Sequence, residues 1–185
     1  LLRKQNLKYQ ATTKRCIMVY IIHVRGEKSE LPHDFAGIEA PYRAAALSVM
    51  GYDNYPELRR KYEGDTDIAL KVLLRGPSQH DSGFAYCAAM IADQTPLELH
   101  LNGRKADSLG SHLERGTIVV KGDLGKDTGH SMQGGSLYVD GDVDHINYPM
   151  GGLIYVNGDV GLLEEMYRGV LIVTGEIKDT LHKRR

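Results

Sequence analysis

A repeated glycine-containing segment at residues 116–176 constrains the fold more than any other feature of this chain. It reads GTIVVKGD, GGSLYVDGD, GGLIYVNGD and GVLIVTGE, so each copy is a glycine, an alternating apolar segment, a second glycine and an acidic residue. The second glycines, interpreted as a structural repeat, are Gly122, Gly141, Gly158 and Gly175, and a degenerate upstream copy adds Gly103. Their regular recurrence, with one short strand per copy, is typical of a stacked solenoid.

Alternation within each copy separates inner from outer side chains, because successive residues of a strand point to opposite faces. One set is aliphatic in every copy and is expected to form the core: Leu99, Leu101, Ile118, Val120, Leu137, Val139, Ile154, Val156, Leu171 and Val173. Stacked coils would bury these residues in continuous columns. A single coil could not bury them alone, which explains why the sequence repeats.

One outer column is apolar or aromatic, although a column that faces solvent should be polar. It contains His100, Val119, Tyr138, Tyr155 and Ile172. We expect this column to be covered, and three alternatives remain open: the N-terminal helices, a partner protein, or a ligand held in a groove. Val119, Tyr138, Tyr155 and Ile172 are therefore the candidate partner-binding residues.

A charged residue follows each second glycine. The series is Arg104, Asp123, Asp142, Asp159 and Glu176. In adjacent coils these residues would lie about 4.8 Å apart, and like charges in register repel. The carboxylates therefore need either the backbone amides of their own turns or a bound cation. Turn capping is the interpretation we favour, since the short repeats with paired glycines that characterise calcium-binding β-rolls are absent from the sequence.

The first half of the chain has a different pattern, which predicts a mostly helical section with one early strand at residues 16–24. Helix signals occur at 38–50, at 55–62 and at 84–91. Residues 67–74 fit either a helix or a buried strand, because periodicity does not separate the two.

Three sections follow from these patterns. Residues 1–95 are expected to form the mostly helical section, residues 96–177 the solenoid, and residues 178–185 a basic tail. The boundary is Thr95-Pro96, where the helical apolar period gives way to strand alternation. The tail is expected to protect the open end of the solenoid, since unpaired strand edges promote aggregation.

Composition bears on partners and location. A net charge of −1 gives no global electrostatic support for binding nucleic acid or an anionic membrane. Cys16 and Cys87 lie far apart without metal-site spacing, which favours a reducing cytoplasm over a disulfide framework. The longest apolar run, residues 17–22, is too short to span a bilayer. We expect a cytoplasmic protein with neither a nucleic-acid nor a membrane partner.

Two serine-containing segments are candidate catalytic sites. Gly129-His130-Ser131-Met132-Gln133 approaches the G-x-S-x-G nucleophile elbow but ends in glutamine and lies in a predicted β-helix corner. His80-Asp81-Ser82 places three triad residue types side by side, whereas a triad draws its members from separate elements. We interpret the second segment as a loop that leads to a helix capped by Ser82. No catalytic residue is assigned.

A pair of histidines is a candidate metal site. His112 and His130 lie about one coil apart and could bind a metal only with a third ligand. His145 is out of register with them. We therefore predict neither a metal nor another cofactor.

The repeat resembles the GXGXG-motif family. The resemblance rests on Ser108-Leu109-Gly110-Ser111-His112-Leu113, Gly116, Gly122-Asp123, Gly129, Met132, Gly134-Gly135, Val139 and Gly141-Asp142. That family includes the C-terminal domain of the glutamate synthase large subunit and the β-helix subunit of formylmethanofuran dehydrogenase. The resemblance covers about residues 96–177. It implies an α+β fold in which a short right-handed parallel β-helix of about five coils follows the helical section.

The resemblance also implies a function. In both families the β-helix carries no catalytic residues and holds catalytic domains or subunits in place. By this likeness the chain is a structural or subunit-docking module, part of an oxidoreductase complex, with a protein partner or a second copy of itself. Two alternatives belong to other classes: a stand-alone hydrolase of esterase type, and a self-assembling structural β-helix protein.

Overall fold

The structure, a computed structural model, describes residues 20–23, 66–77 and 82–181. Within these ranges it contains two helices and nine strands, and a parallel β-solenoid dominates the α+β arrangement. The segments predicted as helices at 38–50 and 55–62 lie outside the described residues. So do Cys16, His80 and Asp81, and most of the predicted strand at 16–24.

The solenoid is built from two parallel sheets. The larger sheet contains, in spatial order, β1 (Tyr20–His23), β2 (Leu97–His100), β3 (Thr117–Lys121), β4 (Ser136–Asp140), β6 (Leu153–Val156) and β8 (Val170–Val173). The smaller sheet contains β5 (Val143–Ile146), β7 (Val160–Glu164) and β9 (Ile177–Leu181). From β4 onward the strands alternate between the two sheets, and in the earlier described coils only isolated bridges, such as Ala106 with Leu124 and Leu124 with Val143, lie outside the larger sheet. This confirms the predicted β-helix of about five coils.

The inner columns form the core as predicted. Ile118, Val120, Leu137 and Val156 are completely buried, and Ile154 retains 1% of its accessible surface. Every side chain of the set is buried except those of the last coil, Leu171 and Val173, which are only partly buried. The core is therefore open at the C-terminal coil.

The register of the first coil differs from the prediction. Glu98 pairs with Val119 and His100 pairs with Lys121, so Glu98 occupies the outer-column position that we had assigned to His100. The physical reason is coil length, because the equivalent positions are Leu97, Ile118, Leu137, Ile154 and Leu171. By these pairs the first coil is the longest, the second is shorter, and the last two are equal and shortest. Glycine spacing alone therefore misplaces the first copy.

The same shift removes Gly103 from the glycine column. Leu101 lies where a repeat glycine was expected, with its Cβ 3.2 Å from the position a Cβ on Gly122 would take. Gly103 instead forms a turn after β2 with a φ of 79°, following Asn102 at 51°. The extra length of the first coil is accommodated in this turn. The structural repeat is thus Gly122, Gly141, Gly158 and Gly175.

The later repeat glycines are required because the stacked backbones approach closely. A Cβ on Gly158 would lie 2.4 Å from the Gly141 carbonyl oxygen, and a Cβ on Gly175 would lie 2.6 Å from that of Gly158. Neither has a left-handed φ, so conformational freedom is not the reason. Any side chain here would push two coils apart.

Two helices pack against the N-terminal end of the larger sheet. The segment that fitted helix or strand equally well is helix α1 (Thr66–Arg75), and the predicted third helix is α2 (Ser82–Ala92). The two helices pack mainly against each other, and α1 also contacts β1 while α2 also contacts β2 and β3. Among the described residues, no helix is long and apolar enough to cross a membrane.

The early strand and the C-terminal segment both belong to the solenoid. β1 pairs with β2 although residues 24–96 lie between them in sequence. At the other end, β9 pairs with β7 and includes residues 178–181, which we had assigned to the basic tail. Lys178 contacts Asp159 of the preceding coil, with Nζ 3.1 Å from Oδ2.

Candidate functional site

The candidate site is the outer face of the larger sheet. Register pairing places Val119, Tyr138, Tyr155 and Ile172 in one column. Tyr138 and Ile172 keep 36% and 45% of their accessible surface, while Val119 and Tyr155 are half-buried. The rings of Tyr138 and Tyr155 lie side by side, with centroids 6.1 Å apart. The sequence-derived candidates are therefore brought together on one exposed surface.

A second column widens this surface and was missed from the sequence. Leu153 pairs with Val170 two positions before the tyrosine column, on the same face. Val170 is 53% exposed, more than any member of the first column. We call Tyr138, Leu153, Tyr155, Val170 and Ile172 the C-terminal apolar patch. Val119 lies beside the patch, on the coil next to that of Tyr138.

The patch has a polar border whose charges are satisfied internally. Asp140 accepts from Lys121 Nζ at 3.0 Å and from Asn157 Nδ2 at 2.9 Å, and Thr174 Oγ1 donates to Asn157 Oδ1 at 3.1 Å. The hydrogen bond from Asn157, followed by Lys121, lowers the pKa of Asp140. The border is thus a hydrogen-bonded ladder with little net charge, beside an apolar centre.

The acidic residues after the repeat glycines form a different ladder. Asp123 Oδ1 accepts the Asp142 amide at 3.0 Å, Asp142 Oδ1 accepts the Asp159 amide at 2.8 Å, and Asp159 Oδ1 accepts the Glu176 amide at 3.0 Å. Each of these carboxylates therefore accepts an amide of the next coil. We had predicted that it would accept the amides of its own turn, so the predicted donor is wrong. Arg104 is not a member, since its Nη1 donates to the Arg75 carbonyl at 3.3 Å.

An aromatic column occupies one corner of the solenoid. His112, His130, Tyr148 and Tyr167 follow one another, with adjacent ring centroids 6.2, 6.3 and 6.1 Å apart. His112 and Tyr148 have left-handed backbones, with φ of 55° and 45°. Sequence analysis paired the two histidines but missed the tyrosines, although their recurrence at nearly one coil length could have revealed them.

Burial keeps the two corner histidines neutral. It lowers the pKa of His112 to about 4, with a further lowering from the nearby His130. The pKa of His130 is also lowered, again mainly by burial, with Asp127 acting in the opposite direction. Neutral imidazoles suit a packed corner.

A metal site at His112 and His130 would need a third ligand. His145 is the nearest third histidine, and its ring nitrogens lie 4.0 Å from Asp127 Oδ1 and 3.7 Å from Glu164 Oε1. In residues 20–23, 66–77 and 82–181, no group of three or more His, Cys, Asp or Glu side chains is placed to hold a metal ion.

Ser131 lacks the surroundings of a nucleophile. Its φ of 53° resembles the strained backbone of a nucleophile elbow. Its amide donates to the Tyr148 carbonyl at 3.2 Å, but within the described part of the chain its hydroxyl makes no hydrogen bond. An activated serine needs a base within hydrogen-bonding reach.

Fold and surface together define a class: a short parallel β-helix with helices at its N-terminal end and an exposed apolar patch at its C-terminal end. No family model, no curated protein and no solved structure matches this chain. The resemblance to the GXGXG-motif family therefore stays a prediction.

Proposed function

We propose that this chain is a non-catalytic docking module, similar to the β-helix domain of glutamate synthase and the β-helix subunit of formylmethanofuran dehydrogenase. Its proposed role is to hold another protein through the C-terminal apolar patch. By the same likeness, that protein is a catalytic domain or subunit of an oxidoreductase.

The observation that supports the proposal is the exposure of apolar side chains on a regular, flat surface. Tyr138, Val170 and Ile172 each keep more than a third of their surface accessible. Contiguous exposed apolar patches, particularly with polar rims, mark interaction sites. Tyrosine is enriched among the residues that dominate binding energy.

The polar ladder beside the patch fits the anatomy of an interface. Interfaces combine a desolvated apolar centre with a polar, accessible rim. Because Asp140 is already paired with Lys121 and Asn157, covering the neighbouring tyrosines leaves no unpaired charge at this border. Burial of the tyrosines therefore does not require that an unpaired charge be buried at this border.

A double substitution tests the proposal. In Tyr138→Lys/Tyr155→Lys, two charges replace the adjacent rings, and we expect the affinity for the partner to fall by roughly 30-fold or more, as for loss of an interface hot spot. The partner is identified by native co-purification with mass spectrometry, and its affinity is then measured with purified components.

The control is Gln133→Lys, which adds a single positive charge at an exposed position outside the patch. It should bind as the wild type does, and both variants should keep the β circular dichroism spectrum. A folded double variant with wild-type affinity contradicts the proposal. So does failure of the wild type to retain any partner from native extract.

A further inference from the structure

Among the described residues, β8 is the outermost strand at the C-terminal end of the larger sheet. β8 pairs with β6 on one side, and on the other side it has no strand neighbour among the described residues. Its sequence, Val170-Leu171-Ile172-Val173, contains no charge, no proline and no bulge. Natural edge strands use such features to prevent pairing with other chains, so this edge is competent to accept another strand.

The hydrogen-bonding groups on this edge can be identified. The amides of Val170 and Thr174 donate to the Gly152 and Val156 carbonyls, at 2.9 and 3.0 Å, and so face β6. Because these groups alternate in direction along a strand, the N–H and C=O of Leu171 and Val173 face the open edge.

The interior of the coil is open at the same place. Leu171 and Val173 continue the inner columns of Ile154 and Val156. Ile154 and Val156 are buried, at 1% and 0% exposure, but Leu171 and Val173 are only partly buried. A structure that covers this end must therefore supply apolar side chains that face inward, as a further coil would.

We propose that the β8 edge pairs antiparallel with the β8 edge of a second copy of this chain, about a two-fold axis at Ile172. That register places Ile172 opposite its equivalent and Leu171 opposite Val173 of the partner copy. The facing amides and carbonyls then form hydrogen-bonded pairs, and Ile172 forms a non-hydrogen-bonded pair with Cα atoms about 4.5 Å apart.

Side-chain direction selects the axis. In antiparallel pairs, opposed residues lie on the same face. An axis at Ile172 therefore matches the inward Leu171 with an inward Val173, and Val170 with Thr174 on the outside. An axis between Leu171 and Ile172 would place an inward side chain opposite an outward one and break the core.

Self-pairing is also electrostatically permitted. β8 carries no charge, and Lys178 and Asp179 of the neighbouring edge strand β9 are engaged within the same chain. Lys178 contacts Asp159 at 3.1 Å, and Asp179 Oδ1 accepts the Thr180 amide at 2.8 Å. No like charges are therefore forced together along β8.

The two ends of the solenoid differ, so the assembly closes as a dimer. Helix α1 packs against β1 at the N-terminal end, whereas at the other end no strand of the described residues pairs with the outer edge of the apolar β8. Like-to-like pairing through a two-fold axis is isologous and closes at two copies, whereas a filament needs a second, complementary surface.

A charge-swap experiment at Ile172 tests the dimer and its axis. The wild-type chain should have twice its 20.5 kDa mass by light scattering at micromolar concentration. Ile172→Lys and Ile172→Glu should each be monomeric, because each places like charges opposite each other on the axis. An equimolar mixture of the two should regain the dimer mass.

Two further variants keep the test decisive. Ile172→Cys should form a disulfide-linked dimer on mild oxidation, since the paired Cα atoms fall within disulfide reach, whereas Tyr155→Cys, one coil away, should not. Tyr138→Lys, which affects the proposed partner surface, should remain dimeric. Any of three results would overturn the proposal: a monomeric wild type, a dimer that neither charged variant disrupts, or a mixture of the two variants that stays monomeric. Each result is independent of the outcome for the docking function.

Discussion

His112 lies beside His130 in the corner column, and burial lowers its pKa to about 4 from 6.5. The charge of Glu114 raises the pKa of His112, but its effect is smaller than that of burial. The folded protein therefore holds this imidazole neutral at a pH where the unfolded chain already binds a proton. A packing residue at a corner thus becomes an acid-sensitive position.

Stability should depend on pH through this residue. Because the folded pKa lies below the unfolded one, the contribution of His112 is complete above about pH 6.5 and is lost as the pH falls from 6.5 towards 4. After allowance for solvent screening, we expect a loss of about 1 to 2 kcal/mol in the free energy of unfolding. Urea denaturation at a series of pH values measures it.

The control is His112→Asn, since asparagine tolerates the left-handed backbone at this position. Its free energy of unfolding should fall less over the same pH interval than that of the wild type. Equal pH dependence of the two proteins would show that His112 does not carry the effect.

The carboxylate ladder shows what sequence could and could not predict for single residues. The glycine–acid pattern predicted that Asp123, Asp142 and Asp159 accept backbone amides, each within its own turn. It could not identify the donor, because the amide that each carboxylate accepts lies in the next coil. Which amide donates depends on how the coils stack, and the sequence around each carboxylate does not determine it.

The glycine column predicts that a side chain is tolerated less well within the column, as at Gly158, than outside it, as at Gly103. Gly158→Asn places a Cβ 2.4 Å from the Gly141 carbonyl oxygen, and we expect a loss of about 3 kcal/mol or more in unfolding free energy. Gly103→Asn is the matched control, with no atom within 4 Å of its added Cβ and a φ that asparagine tolerates. It should change stability by less than about 0.5 kcal/mol. Similar losses in thermal or urea unfolding of the two variants would contradict the assignment of the column.

Several elements were predictable because their signals are local. The alternating segments gave the five strands of the repeat, and the apolar Ala-rich segment gave α2. Residues 67–74 were undecided because a short apolar run fits two structures, and contact with α2 and β1 decides for the helix. β9 was missed because Ile177-Lys-Asp-Thr-Leu181 has no strong alternation, and its pairing with β7 supplies the order.

The pairing of β1 with β2, which are separated by residues 24–96, could not be predicted from the sequence. Periodicity identifies a strand but not a neighbour so distant in sequence. Ile22 of β1 retains 2% of its surface and belongs to the same apolar core as Cys87 of α2. The early strand, the helices and the first coils therefore share one core.

A buried charge in β1 should open that shared core. Ile22→Asp is expected to cost about 3 kcal/mol, which raises the labelling rate of the buried Cys87 thiol by roughly 100-fold. Thiol labelling in a Cys16→Ser background measures this rate. Ile22→Val, which costs about 1 kcal/mol, should raise it less than tenfold. Unchanged labelling in the aspartate variant would show that α2 is stable without β1.

The candidate surface was predicted in part. The column of Val119, Tyr138, Tyr155 and Ile172 followed from alternation alone, because the repeat fixes which residues share a face. Leu153 and Val170 were missed because the first residue of each strand follows a glycine, and sequence does not show on which face that residue lies. The side chains of this surface are most exposed near β8. This could not be predicted from the sequence, because it depends on where the helices pack.

The unequal coil lengths have a consequence for folding. The coils that begin at β2 and β3 are longer than the later ones. A longer coil therefore cannot take the place of a shorter one without leaving extra residues that do not fit the stack. A uniform solenoid can be trapped in conformations shifted by a whole repeat, because its contacts are equivalent at every step. Among the coils that the structure describes, only those that begin at β4 and β6 share one length, so we expect slippage during folding to be confined to these coils.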